Sequence, residues 1–187
     1  MQEAVPVGEG SMIAILGSNI DEIKNLISKL KINGVCEIAN DNAEGQIIIS
    51  GDVKSINTFQ KVLKNNKKKF VSLNVSAPFH CSLMKPAAEK MNSKINEINF
   101  KNSKVEIITN VKAEPEIDSN KIKDLLIQQR YSKVRWRESI LYMKSKNINE
   151  FIEIGPGKVL SGLVKRINSK FITSSINSVE DIKNTNI

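Results

Sequence analysis

Between positions 12 and 75 the chain changes hydrophobic rhythm repeatedly, and this succession restricts its fold more than any other feature. MIAILG, 12–17, is a short apolar run stopped by glycine, the pattern of a buried strand. SNIDEIKNLISKLK then puts Ile20, Ile23, Ile27 and Leu30 on one helical face. Ser18 or Asn19 can cap that helix, Asp21 and Glu22 sit in its first turn, where the helix dipole favours acids, and Gly34 is expected to close it. VCEIAN, 35–40, reads as a strand, NDNAEG as a turn, and QIIIS, 46–50, as a β-branched strand ended by Gly51. Asp52 caps a second helix whose inner face offers Val53, Ile56, Val62 and Leu63. After a lysine-rich turn, FVSLNV, 70–75, alternates apolar and polar like a half-buried strand. The order β-α-β-β-α-β is that of the ferredoxin-like unit.

Beyond position 76 the pattern predicts a different, α/β arrangement. A helix begins near Ser82, with Leu83, Ala87, Met91 and Ile95 on one face and Pro86 tolerated in its first turn. VEIITN, 105–110, reads as a strand; Asp118 or Ser119 starts a helix; Trp136, Ile140 and Met143 mark another. INEFIEIG is a strand, the turn at Gly155-Pro156-Gly157 follows, and KVLSGLVKRI is a helix. A short strand from Ile172 and a last helix capped by Ser178, fraying at KNTNI, complete the pattern. This half supplies too few strands for a full parallel sheet. The expected division is a small subdomain over 8–76 and a second part over 77–187.

Composition narrows the function classes. No apolar run approaches the roughly 20 residues that span a bilayer, and the start lacks a signal-peptide pattern, so a cytoplasmic location is expected. Cys36 and Cys81 form neither a disulfide framework nor a metal motif, and with one histidine a protein-built metal site is not expected. The net charge of +8 raises nucleic-acid binding. Its lysines, however, are interspersed with acids, and the densest run, KNNKKK, reads as a solvated turn. An RNA-recognition motif shares the β-α-β-β-α-β order but stacks bases on aromatics of its central strands; MIAILG and QIIIS carry none.

Few residues here can carry chemistry. IGPGKVLSGL lacks the G-x-x-x-x-G-K-[ST] spacing of a phosphate loop, since its Lys158 is followed by Val159 and not by a hydroxyl residue. No G-x-S-x-G elbow occurs. Cys81 directly follows His80, so on an extended segment the two point apart, and Cys81 is expected to pack. His80, the one histidine, follows a strand and precedes a helix, on a corner stiffened by Pro78 and walled by Phe79. It is either a packed structural residue or a catalytic base.

The segment VSAPFHCSLMKPAAEKM, 75–91, resembles the histidine segment of the malonyl-CoA:acyl-carrier-protein transacylases. MQEAVPVGEGSM resembles the stretch that opens the family's small subdomain, NDNAEGQIIISG its N-x-N-x-P-x-Q strand turn, IQQRYSKVRW its Arg-Gln to Trp segment, and EIGPGKVLSGLVKRI its C-terminal signature. The resemblance implies an α/β fold: a ferredoxin-like βαββαβ subdomain plus the C-terminal part of an α/β hydrolase-like acyltransferase domain. It implies transfer of a malonyl group from coenzyme A to the phosphopantetheine thiol of acyl carrier protein, through an acyl-serine. By position His80 is the general base, and the backbone carbonyl of Gln129 orients it. Asn40, Asn42 and Phe79 match positions near the family's substrate site. No cofactor is implied, since coenzyme A and phosphopantetheine thioesters arrive as substrates. Malonyl-CoA and acyl carrier protein are the implied partners, with neither nucleic acid nor membrane.

Departures matter as much. The family's G-H-S-x-G elbow, its oxyanion-loop glutamine and its carboxylate-binding arginine have no counterpart in this sequence. Its turn proline is Glu44 here, and the proline of its Trp segment is Lys133. The expectation is a C-terminal portion holding a base without its nucleophile and inactive alone. Two alternatives stay open: an inactive fragment or half of a split enzyme that needs its N-terminal partner, and an RNA-binding ferredoxin-like module.

Overall fold

The computed structural model describes residues 5, 6 and 8–184. The segment MQEAVPVGEGSM therefore lies partly outside the described residues, as do the last three residues of KNTNI, where fraying is expected. The chain divides into two compact units, 1–139 and 140–187.

The first unit opens with β1 (Gly10–Leu16), α1 (Ile20–Ser28), β2 (Cys36–Ala43), β3 (Gln46–Asp52), α2 (Val53–Asn65) and β4 (Lys69–Ser72). The strands form an antiparallel sheet in the order β2-β3-β1-β4, the ferredoxin-like arrangement expected from the sequence. Alternation explains how two continuous apolar runs fit here. Ile13, Ile15, Ile47 and Ile49 meet Ile23 of α1 and Ile56, Phe59 and Leu63 of α2 in one core. Met12, Ala14 and Ile48 point the opposite way and join Ala39 in a second cluster, covered by Leu73 and Phe79. The sheet is therefore apolar on both faces. The face that an RNA-recognition motif would offer to bases is filled by side chains of the chain itself.

Local chemistry sets the helix starts. Asn19 Oδ1 accepts from Glu22 N at 2.8 Å, and Asp52 Oδ1 accepts from Ser55 N at 2.8 Å. Several expected boundaries move. α1 stops at Ser28, before Gly34, because Lys29 N–H already closes it onto Ile27 O. Gly34 serves space instead: a Cβ there would collide with the Asp52 carboxylate and the Ser55 hydroxyl. Gly51 does not end its strand, which continues to Asp52; its missing Cβ lets the Val35 carbonyl approach. The expected turn NDNAEG is mostly strand. β2 runs on to Ala43 with irregularities at Ile38/Asn40 and Asp41/Ala43, and the hairpin turns through Glu44 and Gly45. β4 is shorter than expected, since after Ser72 the chain bends, with Val75 N donating to Leu73 O.

After β4 the chain crosses a loop into a 3-10 turn (Ser82–Met84) and α3 (Lys85–Glu97), with Pro86 in the first helical turn. β5 (Ile107–Ile108) and β6 (Pro115–Glu116) form a two-residue ribbon, far less than the strand expected over 105–110. α4 (Ser119–Gln128), capped by Asp118, leads to α5 (Trp136–Ser145), which begins in the first unit and continues into the second. The second unit contains β7 (Glu150–Ile154), α6 (Val159–Ile167), β8 (Ile172–Ile176) and α7 (Val179–Asn184). β7 and β8 pair in parallel, and Phe151 meets Phe171 edge to face, with ring centroids 5.0 Å apart. Glu153 accepts from Leu160 N and Ser161 N, which caps α6 from the strand before it.

Candidate active site

The loop 77–82 between β4 and α3 is fastened at every step. Pro78 is buried against β1, where a Cβ on Gly10 would collide with its ring. Phe79 wedges between the Met12–Ala14–Ala39–Ile48 cluster and a second one built from Ala77, Met84 and Ala87. Cys81 is fully buried, and its thiol donates to Pro78 O at 3.1 Å. Burial pushes the Cys81 thiol up from its ordinary pKa, and the Cys36 thiol up to about 12. Both cysteines are protonated packing residues rather than nucleophiles.

His80 has φ 59°, a left-handed conformation that costs a non-glycine residue about 1–2 kcal/mol. Two carbonyls at the end of α4 hold it there. His80 N–H donates to Arg130 O at 3.2 Å, and Nδ1 lies 2.7 Å from Gln129 O. A carbonyl can only accept, so Nδ1 carries the proton and neutral His80 keeps a lone pair on Nε2. Gln129 and Arg130 follow the last turn of a helix, where carbonyls lack helical partners and are free to accept. Burial lowers the His80 pKa below its ordinary value; the Gln129 contact opposes this, and nearby Arg130 adds to it.

Asn40 and Asn42 lie half-buried on β2, flanking Asp41, and not in a turn. The backbone beside them is clipped to the segment after α4. Val134 N donates to Ala39 O at 2.8 Å, and Asp41 N donates to Val134 O at 3.0 Å. Gln129 is held at its side chain as well, where Asn110 Nδ2 donates to Oε1 at 3.2 Å.

Two polar contacts near this site carried no signal in the sequence reading. Asp41, 1% exposed at its side chain, takes Nε and Nη2 of Arg137 at 2.9–3.1 Å. Glu37 of β2 accepts from Ser82 N at 3.0 Å and from Ser82 Oγ at 2.5 Å. Acids on a strand read as surface residues, and their partners lie 96 and 45 positions away. Among the described residues no group of three or more His, Cys, Asp or Glu can hold a metal ion. No helix among them is long and apolar enough to cross a membrane.

No family model matches the chain. It is 43% identical over 185 residues to the malonyl CoA-acyl carrier protein transacylase of Bacillus subtilis, an alignment covering 98% of this chain and 58% of that protein. The crystal structure of the acyl-carrier-protein-S-malonyltransferase of Bartonella henselae superposes with a TM-score of 0.91 at 41% identity. That match covers 98% of this chain and 59% of the other. Over nearly its whole length the chain is similar to malonyl transacylases. It spans about three-fifths of the length of these relatives, 58% and 59% respectively. A further transacylase, solved in complex with a type II PKS acyl-carrier protein, matches with a TM-score of 0.90 at 32% identity over 97% of this chain and 59% of its own. The fold is accordingly a partial transacylase fold, with the ferredoxin-like sheet on which the histidine loop is fastened.

Proposed function

We propose that this chain supplies the general base for malonyl transfer from coenzyme A to the phosphopantetheine thiol of acyl carrier protein. The observation that carries the reading is the bond from His80 Nδ1–H to Gln129 O at 2.7 Å. It commits the imidazole to one tautomer and reserves Nε2 for a proton. In this reading Nε2 takes the proton of a serine hydroxyl as that oxygen attacks the malonyl thioester. The tetrahedral intermediate collapses, the coenzyme A sulfur leaves, and the proton passes from Nε2 to it. In the second half the carrier thiol gives its proton to Nε2 and attacks the acyl-serine; the serine oxygen leaves and recovers the proton. The lowered pKa of His80 keeps the imidazole neutral and able to accept at neutral pH.

The serine belongs to a G-H-S-x-G elbow that this sequence does not contain. It is assigned to the part of the relatives' length that the chain does not span. Residues 8–76 act as the small subdomain and 77–187 as part of the large one, with Asn40, Asn42 and Phe79 bordering the acyl group. Coenzyme A and the carrier prosthetic group enter as substrates in the cytoplasm, and no resident cofactor takes part. The basic chain, at net charge +8, suits an acidic carrier protein.

The test is intact mass after incubation with malonyl-CoA. The chain alone is expected to acquire no adduct. Mixed with the portion of the Bacillus relative that it does not span, it is expected to restore loading on that portion's serine, and His80→Ala is expected to abolish it. Loading that survives His80→Ala would remove His80 from the reaction. An adduct on this chain alone would locate a nucleophile within it. Failure of the mixture to load would favour the inactive fragment.

A further inference from the structure

We infer that Glu37 is a positioning residue for His80, through which the ferredoxin-like sheet sets the geometry of the base; this rests on the reading of His80 given above. The argument starts from the backbone. His80 is a non-glycine residue at φ 59°, and such a residue keeps a left-handed conformation only where its surroundings over-determine it. On one side the determinants are the carbonyls of Gln129 and Arg130. They are acceptors held just past the end of α4, and they specify where His80 N–H and Nδ1–H must be. They do not by themselves fix the peptide that leaves His80.

That peptide continues through Cys81 to Ser82, and there the chain meets Glu37. One carboxylate oxygen takes the Ser82 N–H at 3.0 Å, and the other takes the Ser82 hydroxyl at 2.5 Å. Both bonds are charge-assisted, and together they fix orientation as well as distance. The carboxylate also faces the start of the 3-10 turn that runs into α3, where exposed N–H groups favour an anion. Glu37 is not part of the loop. It stands on β2, the edge strand of the sheet, opposite Ser50 of β3, and is itself half-buried. His80 is thus suspended between two anchors, the carbonyls just past α4 on one side and a strand carboxylate on the other. Removing the second anchor frees Ser82, and the left-handed turn at His80 can relax, carrying Nδ1 away from Gln129 O.

A plain alternative exists: Glu37 acts only as an N-terminal cap for α3, contributing to stability without touching the state of His80. The two differ in a direct observable. The chain holds a single histidine, so nitrogen-15 labelling of that residue yields one imidazole in the NMR spectrum. In the parent chain the two ring nitrogens are expected at the well-separated positions of a single Nδ1–H tautomer. In Glu37→Ala, Glu37→Gln and Ser82→Ala the expected result is convergence of the two resonances toward a tautomeric average. The shift should be largest for the alanine at 37 and smallest at 82, where the N–H bond survives. Unchanged ring resonances in Glu37→Gln and Ser82→Ala overturn the inference and leave Glu37 as a cap. Glu37→Ala is the variant at risk of misfolding, and the other two decide the matter without it. The measurement needs no catalysis. A shifted tautomer together with loading that ignores His80→Ala would retain the positioning role and sink the catalytic reading.

Discussion

At the scale of single residues, the state of His80 makes stability depend on pH in a definable direction. Its folded pKa lies below the ordinary value of 6.5, so below neutrality the unfolded chain binds more protons than the native one. The contribution is complete above the unfolded pKa and is lost as pH falls from there through the folded pKa. Urea midpoints measured across that window should rise with pH, and His80→Gln should flatten this part of the profile. Asp41 and Arg137 predict an asymmetry. Arg137→Ala strands a carboxylate that is 1% exposed, at a cost of roughly 3 kcal/mol. Asp41→Ala instead leaves a guanidinium whose side chain is already 29% exposed and can turn to water, which should cost about 1 kcal/mol. Equal urea midpoints for the two variants would contradict this account. His80 was legible from its neighbours, since proline, phenylalanine and histidine ahead of a helix define a stiff corner. Glu37 and Asp41 were not, because what they hold is distant in sequence and an acid on a strand has no local mark of burial.

At the scale of elements, glycines separate the tight positions from the merely permissive ones. Gly51 lets the Val35 carbonyl pass close to β3, so Gly51→Ala should push β2 off its neighbour and cost about 3 kcal/mol. Gly162 lies within α6 and a Cβ there meets nothing within 4 Å. Gly162→Ala should therefore stabilise by about 1 kcal/mol, through helix propensity alone. Thermal or urea unfolding of the two variants checks both signs. The strand and helix order of the first unit was readable because each apolar run has a distinct period. Its boundaries were less so. NDNAEG has turn composition, yet Asn40 to Ala43 stay in β2 because Val134 pairs with that backbone and Arg137 neutralises Asp41. Gly34 looked like a helix stop, but the space it provides serves Asp52, eighteen residues on. Such tertiary partners override local preference without leaving a periodic trace.

At the scale of the whole molecule, the second unit leaves apolar strand surface open. Ile154 is 78% exposed at the end of β7, and β7 pairs with β8 alone among the described residues. Open edges flanked by apolar side chains promote association, so the chain should self-associate with rising concentration and Ile154→Lys should reduce it. Light scattering of the two proteins compares them directly. A different consequence follows from the place of β1 in the sheet. It is the first strand in sequence but sits in the middle, between β3, which ends at Asp52, and β4, which ends at Ser72. A ribosome therefore makes GSMIAIL long before either companion exists. At roughly 5–20 residues per second, β1 waits on the order of several seconds for its second edge. Until β3 is made GSMIAIL has no native partner, and until β4 follows it keeps one edge open, so a nascent-chain chaperone has its best opportunity there.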